Sequence, residues 1–318
     1  MGIHESWEKA LKMTEIVRPR VQPLATFEST QIPYIFLAES LVNHGDTIIR
    51  KGEITVDGVT MSYLERPGTG EAVVLLHGFG AEKDNWTRFA RHIPKDYRII
   101  AFDLPGHGKS SKPEDATYTV EYFTQTFSAA VDALKLGRFH LAGNSMGGYV
   151  SILYTARNPG RVVDLCLMDT AGLFNAPRPS DLQIAMAGGE SPLTPTTKAQ
   201  FEELLDYAFH KKPFMPWPVK PVLARRAVER GPFVQRMFRE FNAHLVDPVP
   251  LLPGLKLPVL VIWGENDRIL HVSTTEILAK NLPNEETVIL KDCGHMPMLE
   301  RPKETAGHYS SFIGKHRG

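Results

Sequence analysis

The sequence predicts an α/β fold, a mostly parallel sheet covered by helices on both faces, led by an antiparallel hairpin and carrying a late helical insertion. Three observations predict it. Short apolar runs of strand length recur along the chain, as expected of strands buried on both faces. Helical patterns lie between them, and that alternation favours parallel pairing. One long stretch, residues 172–256, breaks the rhythm with helical patterns and many prolines.

The elements follow in order. Residues 1–51 read as a partly helical arm. Trp7, Ala10, Leu11 and Val17 share a helical face, and Pro19 and Pro23 end the pattern. Two uses of this arm stay open, packing on the body and contact with a membrane surface. The opening MGIHES matches a short N-myristoylation pattern. No secretory signal is visible in the first dozen residues, and the run Tyr34–Ala38 falls far short of the ~20 residues that a membrane span needs. GEITVDGVTMSYLER, residues 52–66, reads as a hairpin turning at Asp57-Gly58. Strands then follow at AVVLL (72–76), RIIAF (98–102), FHLAG (139–143), VVDLCLM (162–168), PVLVIWG (258–264) and ETVIL (286–290). Helices are expected over residues 82–93, 119–134 and 146–157. The domain reading is a core of residues 52–171 and 257–318 with a helical cap over residues 172–256. Within that cap TKAQFEELLDYAF is helical, and RRAVERGPFVQRMFREF is a helix interrupted at Gly231-Pro232.

Lys plus Arg and Asp plus Glu each number 36, so the formal net charge is zero. A broad electrostatic grip on nucleic acid needs a basic face, and this balance argues against one. Two cysteines cannot build a disulfide framework, and Cys166, inside an apolar run, reads as core. A cytoplasmic protein, with peripheral membrane contact as an option, fits these features; the oligomeric state is left open.

The chemistry concentrates at HLAGNSMGGYV, residues 140–150. Gly143 and Gly147 flank Ser145 in the pattern G-x-S-x-G, between an apolar strand and a helix. A serine needs an adjacent base to become a nucleophile. A sharp strand–helix turn exposes it to base and substrate, and bulky residues two positions either side would collide across that turn. The earlier stretch LLHGFGAEKDNW bends at His77-Gly78-Phe79. The backbone amides of Phe79 and Met146 are candidates for binding an oxyanion, with His77 as a structural hydrogen-bonder. The base is expected late in the chain. His295, in KDCGHMPMLERP, lies in a loop just after the last strand. Its orienting acid is sought at Asp267, with Asp169 and Glu265 as alternatives; His271 is a weaker candidate base. His107 and His140 are assigned to loop and strand, and His4, His44, His210, His244, His308 and His316 to the surface. No Cys/His set with metal-ligand spacing and no phosphate-loop signature is present, so neither metal nor organic cofactor is expected.

Together HGFGAEKDNW, FDLPGHGKS, LAGNSMGGY, WGENDRIL and CGHMPMLERP resemble the α/β-hydrolase superfamily over about residues 52–316. Within it they resemble monoacylglycerol lipases of the α/β-hydrolase-domain type and related bacterial lipases and esterases. The resemblance implies an eight-stranded mostly parallel sheet, a helical lid and hydrolysis of acylglycerol or other fatty-acyl esters. GNSMGG is also shared by hydrolases that cleave carbon–carbon bonds of dienoic ketone acids, and a non-catalytic ligand receptor on the same fold is a further alternative. The segment FHKKPFMPWPVKPVL (209–223) either shelters an acyl chain or holds the cap together.

Overall fold

The computed structural model describes residues 49–187, 191–215, 217 and 219–316. The readings of the N-terminal arm, including its helical face and the MGIHES motif, fall outside these residues.

Eight strands form one sheet: β1 (Arg50–Val56), β2 (Val59–Arg66), β3 (Ala72–Leu76), β4 (Arg98–Phe102), β5 (Phe139–Asn144), β6 (Val162–Met168), β7 (Val259–Gly264) and β8 (Glu285–Leu290). Their order is β1-β2-β4-β3-β5-β6-β7-β8. β2 pairs antiparallel with β1 and β4, and every other pairing is parallel. The first strand begins at Arg50, two residues before the expected hairpin.

The apolar runs are strands because their side chains alternate between two cores. Val74, Leu76, Ile100, Phe102, Leu141 and Val261 face one side. There they meet α2 (Val120–Ala133) and α3 (Met146–Arg157). Val73, Leu75, Ile99, Ala101, Ala142 and Cys166 face the other, packing with Trp86, Phe89, Tyr309 and Phe312. Phe89 lies on α1 (Thr87–Ala90); Tyr309 and Phe312 lie on α9 (Pro302–Gly314), which follows α7 (Thr275–Asn281) and α8 (Pro297–Glu300). Thr119 caps α2 by accepting the Tyr122 amide, as an N-cap threonine should.

Two helices differ from expectation. Residues 82–93 make only a 3-10 turn, Lys83–Trp86, and the four-residue α1. The reason lies in Arg66, whose guanidinium donates to the carbonyls of Ala90, Ile93, Pro94 and Tyr97 at 2.6–3.1 Å. A buried charged side chain thus satisfies acceptors that a longer helix would have used.

The connection from β6 to β7 holds α4 (Asp181–Ala187), α5 (Lys198–Ala208) and α6 (Val219–Ala243). Thr197 and Gln200 close a reciprocal capping box on α5. The expected interruption at Gly231-Pro232 is absent: α6 runs through Pro232. A proline inside a helix costs roughly 3 kcal/mol. Packing offsets it here, since Gly231 is buried against Pro195 and Thr196 and the following turns bury Met237 and Phe241. A Cβ at Gly231 would stand 2.9 Å from the Pro195 carbonyl oxygen, so the close approach requires glycine.

Candidate active site

Ser145 sits between β5 and α3 with φ 54° and ψ −120°, a region that non-glycine residues rarely enter. Its neighbours hold the strain in place. The Ser145 amide donates to the Met168 carbonyl at 3.0 Å, and the Ser145 carbonyl accepts from Gly148 and Ala171, each at 3.0 Å. A Cβ at Gly143 would strike the Gly147 backbone, and one at Gly147 would strike the Leu76 and His77 carbonyls. The two flanking glycines are therefore required by close backbone approach.

The loop after β3 lies against the serine: a Cβ at Gly78 would stand 2.9 Å from the Ser145 Cβ. His77 is fully buried and locks this loop to the one after β4. Its Nε2 accepts the Leu104 amide at 3.0 Å, so Nδ1 carries the proton and donates to the Gly78 carbonyl at 2.7 Å. Burial holds its imidazole below the ordinary range, in keeping with a neutral ring. A second tie is the buried Lys83–Asp103 pair, 2.8 Å apart, with Asp103 also accepting the amides of Lys83 and Lys109. Nothing in the spacing of the sequence pointed to this pair. Phe79, Ser145 and Met146 line one cavity. Met146 opens α3, where the first amides have no intrahelical acceptor and the helix dipole favours negative charge.

His295 and Asp267 come together from the loops that follow β8 and β7, two parallel neighbouring strands. His295 Nδ1 lies 2.7 Å from Asp267 Oδ2, and Asp267 Oδ1 accepts the amides of Ile269 and Leu270 at 2.8 and 3.0 Å. An ionised carboxylate only accepts, so Nδ1 is the protonated nitrogen and Nε2, on the far side of the ring, is the basic one. Asn144, beside the serine, donates from Nδ2 to the Met168 and His295 carbonyls, both at 3.1 Å. This cross-link fastens the His295 loop to the strand end that carries Ser145. The His295 amide in turn donates to the Ala208 carbonyl at the end of α5 (3.1 Å).

The alternatives separate in space. Glu265 is exposed. His271 caps a 3-10 turn through Ser273. Asp169 is fully buried and accepts the Gly264 amide at 2.9 Å, and burial followed by the neighbouring Asp267 holds its carboxyl well above the usual range. Asp169, Asp267 and His295 bring potential ligand atoms within 4.8 Å of one another. Asp267 Oδ2 and His295 Nδ1 are already engaged with each other. His140, as assigned, lies within a strand, bonded to Asp164 at 2.8 Å. His316 is half-buried against Phe312 rather than on the open surface, because its ring meets the Phe312 ring edge to face at 4.7 Å and faces Asp164.

The cavity above Ser145 is apolar. Tyr149 and Phe174 line it, with Leu182 and Met186 from α4 and Phe238 and Phe241 from α6; Gln183 and Asn242 add polar groups. The sequence marked α6 as helical, but only the fold shows which of its aromatics turn inward. None of the described residues of 209–223 lines this cavity. Phe209, Met215 and Leu223 pack among the helices above the sheet, whereas Phe214 and Trp217 are 81% and 86% exposed.

His107 packs against His77 and Phe79, with Nδ1 near the Pro105 carbonyl (3.0 Å) and no hydrogen-bond partner for Nε2 among the described residues. Burial pushes its imidazole down to about 3. The unfolded chain therefore binds a proton that the folded chain refuses as pH falls from about 6.5 toward 3. Stability is lost on that acid side. Urea unfolding of His107→Gln should show a flatter dependence, narrowing its deficit against wild type by about 3 kcal/mol between pH 7 and pH 4.

A sequence profile described as the alpha/beta hydrolase fold matches residues 71–302. The chain is 34% identical over 258 residues to Lipase 3 of Moraxella sp. (strain TA144), covering 80% of this chain and 81% of that protein. It is 30% identical over 267 residues to human monoacylglycerol lipase ABHD6, covering 79% and 78%. Its fold is similar to the crystal structure of a membrane phospholipase A described as a bacterial virulence factor, with TM-score 0.82, 38% identity and coverage of 88% and 92%. The profile match, the sheet order and the glycine-flanked serine turn agree, and the chain belongs to the alpha/beta hydrolase fold family.

Proposed function

We propose that this chain is a serine hydrolase of carboxylic esters, acting on fatty-acyl esters such as acylglycerols. One observation carries the reading: a strained, glycine-flanked Ser145 opens into an apolar cavity large side chains of two cap helices help to enclose. Ester hydrolysis is the family-level activity named in its lipase relatives.

His295 Nε2 takes the Ser145 hydroxyl proton as Oγ attacks the ester carbonyl. Asp267 keeps the imidazole in the required tautomer and steadies the imidazolium. The Phe79 and Met146 amides bind the oxyanion, a term worth about 2.7–4 kcal/mol per donor. Collapse breaks the ester C–O bond, and the alcohol leaves with the proton from His295. Water then attacks the acyl-enzyme, giving up its proton to His295, and the carboxylic acid departs as Ser145 regains its hydrogen. Residues 172–256 serve as the cap, and its apolar lining holds the acyl chain. The exposed Phe214 and Trp217 form an aromatic tip suited to a lipid–water interface, where such substrates reside. No helix of the described residues is long and apolar enough to cross a membrane.

A chain-length series of p-nitrophenyl and monoacylglycerol esters tests the reading. Medium or long acyl chains should give the higher kcat/KM, and Leu182→Trp, which fills the cavity, should lower kcat/KM for a twelve-carbon ester by about tenfold or more while sparing acetate. Turnover of a dienoic ketone acid with no ester cleavage would favour carbon–carbon hydrolysis; ligand binding without any turnover would favour a receptor.

A further inference from the structure

Asp169 directly follows β6 in a backbone conformation with φ 45°, and it is fully buried. One carboxyl oxygen, Oδ1, accepts the Gly264 amide at 2.9 Å. The other, Oδ2, has no donor among the described residues. Its neighbour is Asp267, and oxygens of the two carboxyl groups lie within 4.8 Å of one another. A bare acceptor in the interior is costly, and two carboxylates face to face cannot both be ionised there. One proton between them resolves both problems at once.

The contacts decide which group holds it. Asp267 is met by the amides of Ile269 and Leu270 and by His295 Nδ1, three donors that favour an anion. Asp169 is met by a single amide. His295 also stands near Asp169, its ligand atom within 4.8 Å, but its Nδ1 is engaged by Asp267; the further titratable groups facing Asp169 are Glu300, Cys166 and Cys293, none of which supplies positive charge.

We propose that Asp169 is a neutral carboxylic acid whose O–H donates to Asp267, making it a positioning residue that holds the Asp267 carboxylate beneath His295. This rests on the assignment of Ser145, His295 and Asp267 given above. Asp169 is not among the residues that line the cavity at Ser145; it acts through Asp267. Burial and the adjacent Asp267 keep its proton on far above the pH at which a free aspartate loses it.

Two variants and two readouts test it. Asp169→Asn keeps a neutral N–H donor toward Asp267 and an acceptor for Gly264; Asp169→Ala removes both. The acid limb of the kcat/KM profile, measured on a short-chain ester, should stay within about 0.3 pH unit in Asp169→Asn. In Asp169→Ala it should move to higher pH by about 0.5–1 unit, because Asp267, relieved of a donor, raises the basicity of His295, and kcat should fall by about tenfold. An ionised Asp169 would move the limb to lower pH in both variants, and a purely structural Asp169 would leave it in place in both; either result overturns the proposal.

Thermal unfolding gives a readout that needs no turnover. A carboxyl protonated in the fold but ionised in the unfolded chain destabilises the fold above about pH 4. Asp169→Asn should therefore raise Tm by about 2–4 °C at pH 8, with the gain shrinking toward pH 4. A loss of Tm at pH 8 overturns the neutral-acid assignment. Absence of ester turnover in wild type as well would instead contradict the proposed function, while the Tm comparison still judges Asp169.

Discussion

Ser145→Ala lowers ester turnover by about 10⁴- to 10⁶-fold without unfolding the protein. The expected size follows from the division of labour at the site. Removing the nucleophile eliminates the covalent route, whereas the backbone amides of Phe79 and Met146 and the apolar cavity remain to give residual rate over water. The turn itself is held by backbone bonds from Ser145 to Met168, Gly148 and Ala171, none of which involves the hydroxyl. The variant should therefore melt within about 2 °C of wild type. Initial rates on a p-nitrophenyl ester, alongside a thermal melt, check both halves. A variant that keeps a tenth of wild-type kcat would remove Ser145 from the chemistry.

Asp267→Asn produces the second large effect, a fall in kcat of about 10⁴-fold near neutral pH. The local geometry dictates the mechanism of the loss. Oδ1 of residue 267 accepts two amides, from Ile269 and Leu270, so an asparagine there keeps its carbonyl oxygen toward those donors. Its NH₂ group is then forced toward His295 Nδ1, now 2.7 Å from a donor instead of an acceptor. The imidazole responds by moving its proton to Nε2, the nitrogen that has to accept the serine proton. His295→Ala should cost a similar factor, and combining either change with Ser145→Ala should cost little more, since the three act as one unit. Steady-state kinetics of the three single and two double variants check this; multiplicative losses would contradict it.

Much of this architecture was legible in the sequence for a definable reason. Strands buried on both faces must be apolar at nearly every position, so AVVLL and VVDLCLM announce themselves. The Ser145 turn was legible because two backbones cross too closely to admit a Cβ, and only glycine meets that demand. What escaped depends on residues distant in the chain. The shortness of α1 is set by Arg66, a side chain from a strand two elements earlier. The persistence of α6 through Pro232 is set by packing of Gly231 on Pro195 and Thr196. Asp169 and Asp267 both follow the C-terminal ends of neighbouring parallel strands, and only their contacts with His295 and their donor sets separate them. The Lys83–Asp103 tie and the Asn144 bridge to His295 are likewise contacts across loops that no local pattern encodes.

The central claim is that a hydroxyl at one strand end becomes a nucleophile through groups delivered by two other loops. Labelling with an alkyl fluorophosphonate, followed by peptide mass spectrometry, tests it most directly. A single adduct on the peptide containing Ser145 is predicted, formed in proportion to the loss of activity and strongly slowed in His295→Ala. An active, folded enzyme that carries its adduct on another residue, or that loses no activity when Ser145 is fully labelled, would contradict the account.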